Sequence, residues 1–409
     1  MDEKKIVDLL QYAENHTEYY SKLFSNNGIN TRDINEFTKI PFLSKAGIQV
    51  NEKEIISDEY DINSLLLERT SGSSGIPLNC RYDKNERIRR SLALWGERKK
   101  NSSDIMGKKM AVFHAGNRRH ANSARNGLIA RDGNTLYINY LNVGDTYVEK
   151  IYDALIEFRP YMIRCQPSIL FELVTYCKRN NKSTMDIQAQ YIELGSEYLF
   201  EYIRDEIIEA FPGAVVANNY GTQEFFCVAY SCPNHNLHIV SEQLHVETVN
   251  EDEEGYGEII ITSLHNYAMP FIRYKIGDIG KIETKRCSCG RKEPVLQLKS
   301  GRTSEFFMYG SNKVHAHIFK NCIESFNVLK LKTFIKQFQV IQLQEHHFEF
   351  KIVSDYTSFQ EELRTHIKSF FLDKLGIELE ITVSLQKQLT IDEKSNKLKV
   401  YNFLQYDKV

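Results

Sequence analysis

The chain has 409 residues, 42% of them hydrophobic and 11% aromatic, enough to bury more than one core. Its 52 basic and 54 acidic side chains leave a formal net charge of -2, which excludes an overall field for holding nucleic acid or anionic lipid. No run approaches the ~20 apolar residues of a membrane span, "MDEKKIVDLLQYAENH" lacks the pattern of a secretory signal, and the cysteines are too sparse for a disulfide scaffold, so a cytoplasmic protein is expected.

Ile6, Leu9, Leu10 and Ala13 recur at helical spacing and predict one amphipathic helix over residues 3–24. "IPFLSKAGI" at 40–48 reads as a loop in which Ser44 caps the next helix. "TSGSSGIPL" at 70–78 sets glycines among hydroxyls, so backbone N–H groups and short O–H donors can converge on phosphate oxygens; its composition suits a flexible link equally well. No Lys-Ser or Lys-Thr follows Gly75, so it is not a P-loop.

From 110 the texture becomes strand, helix, strand. "MAVFHAG", "TLYIN", "YMIRC", "YIELG" and "AVVANNY" read as strands, and "VEKIYDALIEF", "ILFELVTYCKR" and "EYIRDEIIEAF" as helices between them. That rhythm predicts an α/β fold with helix-covered, mainly parallel sheets. Between 236 and 300, strand-like runs split by Gly and Asn predict a small β-barrel-like part or antiparallel sheet. "KSGRTSEF" interrupts the pattern at 299–306, and helix and strand then alternate to the end; the predicted domains are 1–301 and a smaller α+β domain, 302–409.

Three further stretches follow the Ser/Gly loop in order: "NNYGTQEF" at 218–225, "FIRYKIGDIG" at 271–280 and "SGRTSEF" at 300–306. With "LSKAGI", "QPSILFEL" and "LGSEYL", this series resembles the adenylate-forming enzymes (acyl-CoA synthetases, adenylation domains and their relatives) and within them the phenylacetate-CoA ligase-like branch, including relatives associated with capsule biosynthesis. The resemblance spans nearly the whole chain. It implies ATP- and Mg²⁺-dependent activation of a carboxylic acid, an aromatic one among the candidates, as acyl-AMP. The acyl group then passes to CoA, a carrier-protein thiol or an amine. An adenylyltransferase whose product retains AMP, and a nucleotide-binding protein without turnover, stay open as alternatives. So does a homodimer.

The implied roles follow from what adenylation requires, which is positioning plus neutralisation of phosphoryl charge. Thr70, Ser71, Gly72, Ser73, Ser74 and Gly75 hold the β- and γ-phosphates, and Glu224 binds Mg²⁺. Tyr220 faces adenine, and Gly221 and Thr222 lie where the α-phosphate passes. Gly195, Ser196 and Glu197 frame the nucleotide. Asp278 accepts from both ribose hydroxyls, and Arg302 reaches ribose or α-phosphate. On the mobile C-terminal domain of the family a lysine serves adenylation; Lys397 in "SNKLKVYNF" matches it, with Lys394 and Lys399 as neighbours.

Cys232, His238, Cys287 and Cys289 form a further set, in "SCPNHNLHI" and "RCSCGR". Three thiolates and an imidazole are ligands that tetrahedral Zn²⁺ prefers, and four protein ligands make a structural site; the predicted insert spans 227–290, with Cys227 and His235 as rival ligands. Two departures from the family pattern concern the thioester step: Ser304 stands where a hinge aspartate is frequent, and Ala316 where proline is expected. Leu78 replaces a lysine common after the loop, as in the phenylacetate-type branch. The basic run Arg118, Arg119, His120 and Arg125 reads as a solvated face, with an acyl pocket or a carrier's phosphopantetheine as the other reading.

Overall fold

A computed structural model describes residues 2–70, 78–114, 129–139, 145–284, 286–302, 306–310, 312–330, 334–335, 337–387, 389 and 399–404. Its first elements are the helices α1 (Glu3–His16), α2 (Glu18–Asn27), α3 (Lys45–Val50) and α4 (Glu52–Ile55). The single helix expected over 3–24 is two. Thr17 sits between them in extended backbone, its Oγ1 donating to Ala13 O at 2.7 Å and accepting the Tyr20 N–H at 3.3 Å. One β-branched hydroxyl therefore closes α1 and caps α2, which is why the apolar period continues while the helix does not. Ser44 caps α3 through the Gly47 N–H at 3.0 Å.

An antiparallel ribbon follows, β1 (Leu66–Arg69) with β2 (Asn79–Tyr82), and then the long helix α5 (Lys84–Asn101). The next strands are β3 (Met110–His114), β4 (Ile129–Asp132) and β5 (Thr135–Asn139). After them helices and strands alternate as α6 (Asp145–Phe158), β6 (Met162–Cys165), α7 (Pro167–Arg179), β7 (Tyr191–Gly195), α8 (Glu201–Ala210) and β8 (Val215–Tyr220). Strands β5, β3, β6, β7 and β8 lie side by side and parallel. Four of the five residues of β7 are buried in succession, the mark of a strand covered on both faces. Because β5 pairs on one side of β3 and β6 on the other, the strand order reverses there, the kind of position outside whose carboxyl ends open α/β sheets bind ligands.

The stretch expected as barrel-like does not close. β9 (Ala229–Ser231), β10 (Leu237–Ile239), β11 (Leu244–Val249), β12 (Gly257–Ser263), β13 (Tyr274–Glu283) and β14 (Val295–Arg302) extend the same sheet to twelve strands, in the order β11-β12-β13-β14-β10-β9-β8-β7-β6-β3-β5-β4. The hairpin runs pair onto the free edge of β8, so closure on themselves is not needed to satisfy their backbone.

By contact density the chain divides into two compact units: Met1–Leu199, Glu206–Ile276 and Gly280–Gln297 form the first, and Phe200–Asp205, Gly277–Ile279 and Leu298–Val409 the second. The second unit contains β15 (Phe306–Tyr309), β16 (Asn312–His315), α9 (His317–Leu329), β17 (Gln337–Gln344), β18 (His347–Val353), α10 (Gln360–Leu375), β19 (Glu380–Leu385) and β20 (Tyr401–Asn402). Its four-stranded sheet, β19-β18-β17-β20, packs an aromatic core in which Phe307 and Phe348 lie 4.9 Å apart and Phe319 and Phe371 5.0 Å apart. Among the described residues, no helix is long and apolar enough to cross a membrane.

Within the first unit a buried ion pair joins α5 to β7. Arg98 Nε and Nη2 each donate to a Glu193 oxygen at 2.7 Å, and the Tyr230 hydroxyl donates to Glu193 at 2.7 Å. Burial alone would raise the Glu193 carboxyl; Arg98 and these donors outweigh it and hold it at about 2. We predict that Arg98→Met, which leaves Glu193 only the part-exposed Arg164 at 3.4 Å as a cation, lowers the unfolding free energy by about 3 kcal/mol in urea denaturation at neutral pH. Since the folded carboxyl is depressed, the native pair's contribution is complete above pH 4.5 and is lost as pH falls toward 2, so the deficit of the variant shrinks in acid.

Candidate functional site

Two motif segments of the first unit begin at the carboxyl ends of parallel strands, β7 and β8. Gly195 ends β7 opposite Asn219 of β8, and a Cβ there would stand 2.8 Å from the Asn219 carbonyl oxygen. Only glycine permits that approach. Ser196 then takes a left-handed φ of 71°, and the Glu197 carboxylate accepts the Ser168 N–H at 3.3 Å, at the first turn of α7. Glu197 thus clamps the segment after β7 to the segment after β6, where the negative carboxylate meets the positive end of a helix. Ser168 carries no signal of this role in the sequence, because its N–H becomes a partner of Glu197 only once the two loops meet.

Tyr220 ends β8, and the chain turns at once. A Cβ on Gly221 would come 2.0 Å from the Phe226 carbonyl oxygen. Thr222 closes the turn, its carbonyl accepting the Phe226 N–H at 2.7 Å and its Oγ1 the Phe225 N–H at 3.2 Å. Glu224 is presented on this turn, buried, with Oε1 accepting from the Tyr274 hydroxyl at 3.2 Å. Among the described residues its other oxygen has no hydrogen-bond partner. A buried carboxylate with one oxygen engaged and one available is a donor suited to a hard cation.

Thr70 and Leu78 close the mouth of the Ser/Gly loop. The Leu78 N–H donates to Thr70 Oγ1 at 2.9 Å, and the Thr70 N–H to Leu78 O at 3.0 Å. Thr70 therefore spends an acceptor lone pair on stapling the ribbon. Ser71, Gly72, Ser73, Ser74, Gly75, Lys394, Lys397, Ser304 and the Arg118–Arg125 run lie outside the described residues. Asp278 lies within β13 after Gly277, whose φ is 84°, and Arg302 ends β14; both fall in the second unit.

A separate cluster stands at the tips of two hairpins. Cys232 follows β9 and His238 lies on β10, while Cys287 and Cys289 lie in the connection from β13 to β14. The sheet order puts β10 beside β14, with His238 opposite Val295, so residues about fifty positions apart converge. One ligand atom from each of the four lies within 4.8 Å of the others, with Cys232 and Cys287 sulfurs 3.9 Å apart and Cys289 Sγ 3.4 Å from His238 Nε2. His238 Nδ1 is 2.8 Å from the Glu293 carbonyl, which can only accept, so the proton belongs on Nδ1 and the Nε2 lone pair faces the sulfurs.

Burial pushes the Cys232 thiol up to about 11. At Cys287 burial acts in the same direction, but hydrogen bonds from the Cys289 backbone and side chain and from Asn236 prevail and bring it down to about 6. The rival candidates stay outside the group. Cys227 is packed in the core with Leu94 and Tyr230, its thiol directed to Ala229 O at 3.9 Å, and His235 is exposed. Arg291 and Glu293 continue the cysteine loop into a charge network, with Arg291 Nη1 2.7 Å from Glu97 and Lys100 Nζ 3.1 Å from Glu293. Glu97 adjoins Arg98, the partner of Glu193.

No protein-family model matches the chain. Over 407 residues it is 22% identical to a phenylacetate-coenzyme A ligase of Thermus thermophilus, covering 93% of this chain and 83% of that one. It is 22% identical over 316 residues to Protein CapK of Staphylococcus aureus, covering 75% of this chain and 68% of the other. Among solved structures, a 2-hydroxyisobutyryl-CoA ligase in the postadenylation state, in complex with R3-HIB-AMP, matches with a TM-score of 0.76 at 13% identity, over 98% of this chain and 89% of that one. That last likeness is one of fold.

Proposed function

We propose that this chain is an ATP-dependent acid ligase of the adenylate-forming superfamily, on its phenylacetate-CoA ligase-like branch. The observation that carries the reading is the likeness along nearly the whole chain to a phenylacetate-coenzyme A ligase. In the first half-reaction a carboxylate oxygen bonds to the α-phosphorus of ATP, the bond to the bridging oxygen breaks, and pyrophosphate leaves. In the second, a CoA thiol, a carrier thiol or an amine takes the acyl group and AMP leaves.

The residues divide the work as follows. Ser71, Gly72, Ser73, Ser74 and Gly75, which follow Thr70 in the chain, hold the outer phosphates. Tyr220 supplies a face for adenine, and Gly221 and Thr222 admit the α-phosphate beside them. Asp278 binds the ribose hydroxyls, and Arg302 and Lys397 supply positive charge to the α-phosphate and the acyl oxygens. Glu224 would hold Mg²⁺, whose positive charge would offset that of the phosphates. Glu197 orders the frame around the nucleotide through Ser168.

Pyrophosphate release with ATP and a panel of carboxylic acids, aromatic ones included, is the direct measurement. At least one acid is expected to support release, and Lys397→Ala is expected to slow it by about 10²–10³-fold while ATP still binds. If ATP binds and no acid supports release, the ligase reading fails in favour of a binding protein. Supplying CoA and finding no thioester would turn the second half-reaction toward a carrier or an amine.

The Cys232, His238, Cys287 and Cys289 cluster is a structural Zn²⁺ site in this reading. The 3.9 Å between two of its sulfurs is close to the edge of about 3.8 Å that tetrahedral bonds of about 2.3 Å produce. A divalent cation also offsets the burial that opposes a thiolate at Cys232. Elemental analysis of purified protein should find about one zinc per chain and much less in Cys289→Ser; a metal-free native protein would remove the site.

A further inference from the structure

We propose that Tyr274 is a positioning residue for Glu224, setting which carboxylate oxygen faces the cation, an inference that rests on the adenylation reading above. The Tyr274 hydroxyl donates to Glu224 Oε1 over 3.2 Å, and both residues are buried. A hydrogen bond on one oxygen stops rotation of the carboxylate and leaves Oε2 with its lone pairs for the metal. It also compensates part of the cost of keeping an anion beside aromatic rings, because a buried carboxylate without a donor is strongly disfavoured.

The ring that carries this hydroxyl has little freedom. It meets Phe271 edge-on, with centroids 5.3 Å apart and planes at 89°, and Phe225 at 5.9 Å, the residue next to Glu224. The backbone on either side is fixed by Leu43, whose N–H donates to Arg273 O at 3.0 Å and whose carbonyl accepts the Lys275 N–H at 2.9 Å. Arg273 takes a left-handed φ of 50° at the entry to β13. Its guanidinium pins that conformation, donating to Glu247 at 3.1 Å and Ile40 O at 2.8 Å. A non-glycine residue is held in this region only when its surroundings over-determine it. The consequence is a single direction for the Tyr274 side chain, toward the turn that presents Glu224.

The test is the affinity for Mn²⁺ in the presence of a non-hydrolysable ATP analogue, read as free Mn²⁺ by electron paramagnetic resonance on the full chain. Tyr274→Phe keeps the ring and deletes the donor; its Mn²⁺ affinity is expected to fall about tenfold, the value of one hydrogen bond to a charged group, while binding of the analogue without metal is unchanged. Phe271→Leu, which unbraces the ring, is expected to weaken Mn²⁺ in the same direction by a smaller factor, and it carries the test if Tyr274→Phe does not fold. Unchanged Mn²⁺ affinity in the folded variants overturns the proposal. Glu224→Gln separates the two levels: if it abolishes Mn²⁺ binding and the Tyr274 variant does not weaken it, the positioning role alone fails. If Glu224→Gln binds Mn²⁺ as the native chain does, the role of Glu224 itself fails.

Discussion

The buried pairing of Arg98 with Glu193 is the interaction on which the arrangement of the first unit depends. Glu193 sits two residues before Gly195, in the middle of the central parallel strands, where an unpaired carboxylate would not be tolerated. Its bidentate partner comes from α5, so helix and strand are held in one register. Arg98 also lies over the Trp95 ring at 4.4 Å, and Tyr230 of β9 donates to the same carboxylate, so the antiparallel edge is bound to the parallel centre by one charge.

From this point two regions are organised in opposite directions along α5 and β7. Toward the carboxyl ends, β7 and β8 finish at Gly195 and Tyr220, and steric exclusion at Gly195 and Gly221 forces the loops to turn where they do. Toward the hairpin tips, Glu97 meets Arg291, and Lys100 meets Glu293, whose carbonyl orients His238. The cysteine cluster and the strand carrying Gly195 are thereby connected through a single helix face, on which Glu86, Arg90, Leu94, Glu97 and Arg98 are all buried. Such a face is apolar at only one of five positions, which is why hydrophobic periodicity passes over it.

Most elements of the fold were legible along the chain because their patterns are local. The strand-helix rhythm from 110 to 220 follows from alternating buried runs and 3.6-residue periods, and it appears as the parallel centre of the sheet. The break at Thr17 was not legible, since the same hydroxyl that disfavours a helix interior also caps one. Nor was the fate of residues 236–300: alternating strands suit a barrel and an open sheet equally, and what decides is the free edge that β8 offers.

For the site, the chain by itself determined the chemistry on offer: Glu224 on a Tyr-Gly turn, a hydroxyl-rich loop flanked by Thr70, and four thiol and imidazole donors, each recognisable from its neighbours. The tertiary structure alone decided who meets whom. Tyr274 reaches Glu224 across fifty residues, Ser168 reaches Glu197, and Cys232 and His238 meet Cys287 and Cys289, because strand order and loop closure bring distant segments together. The physical reason is that a side chain's type is written where it stands, whereas its hydrogen-bond partner and its burial are properties of the packed sheet.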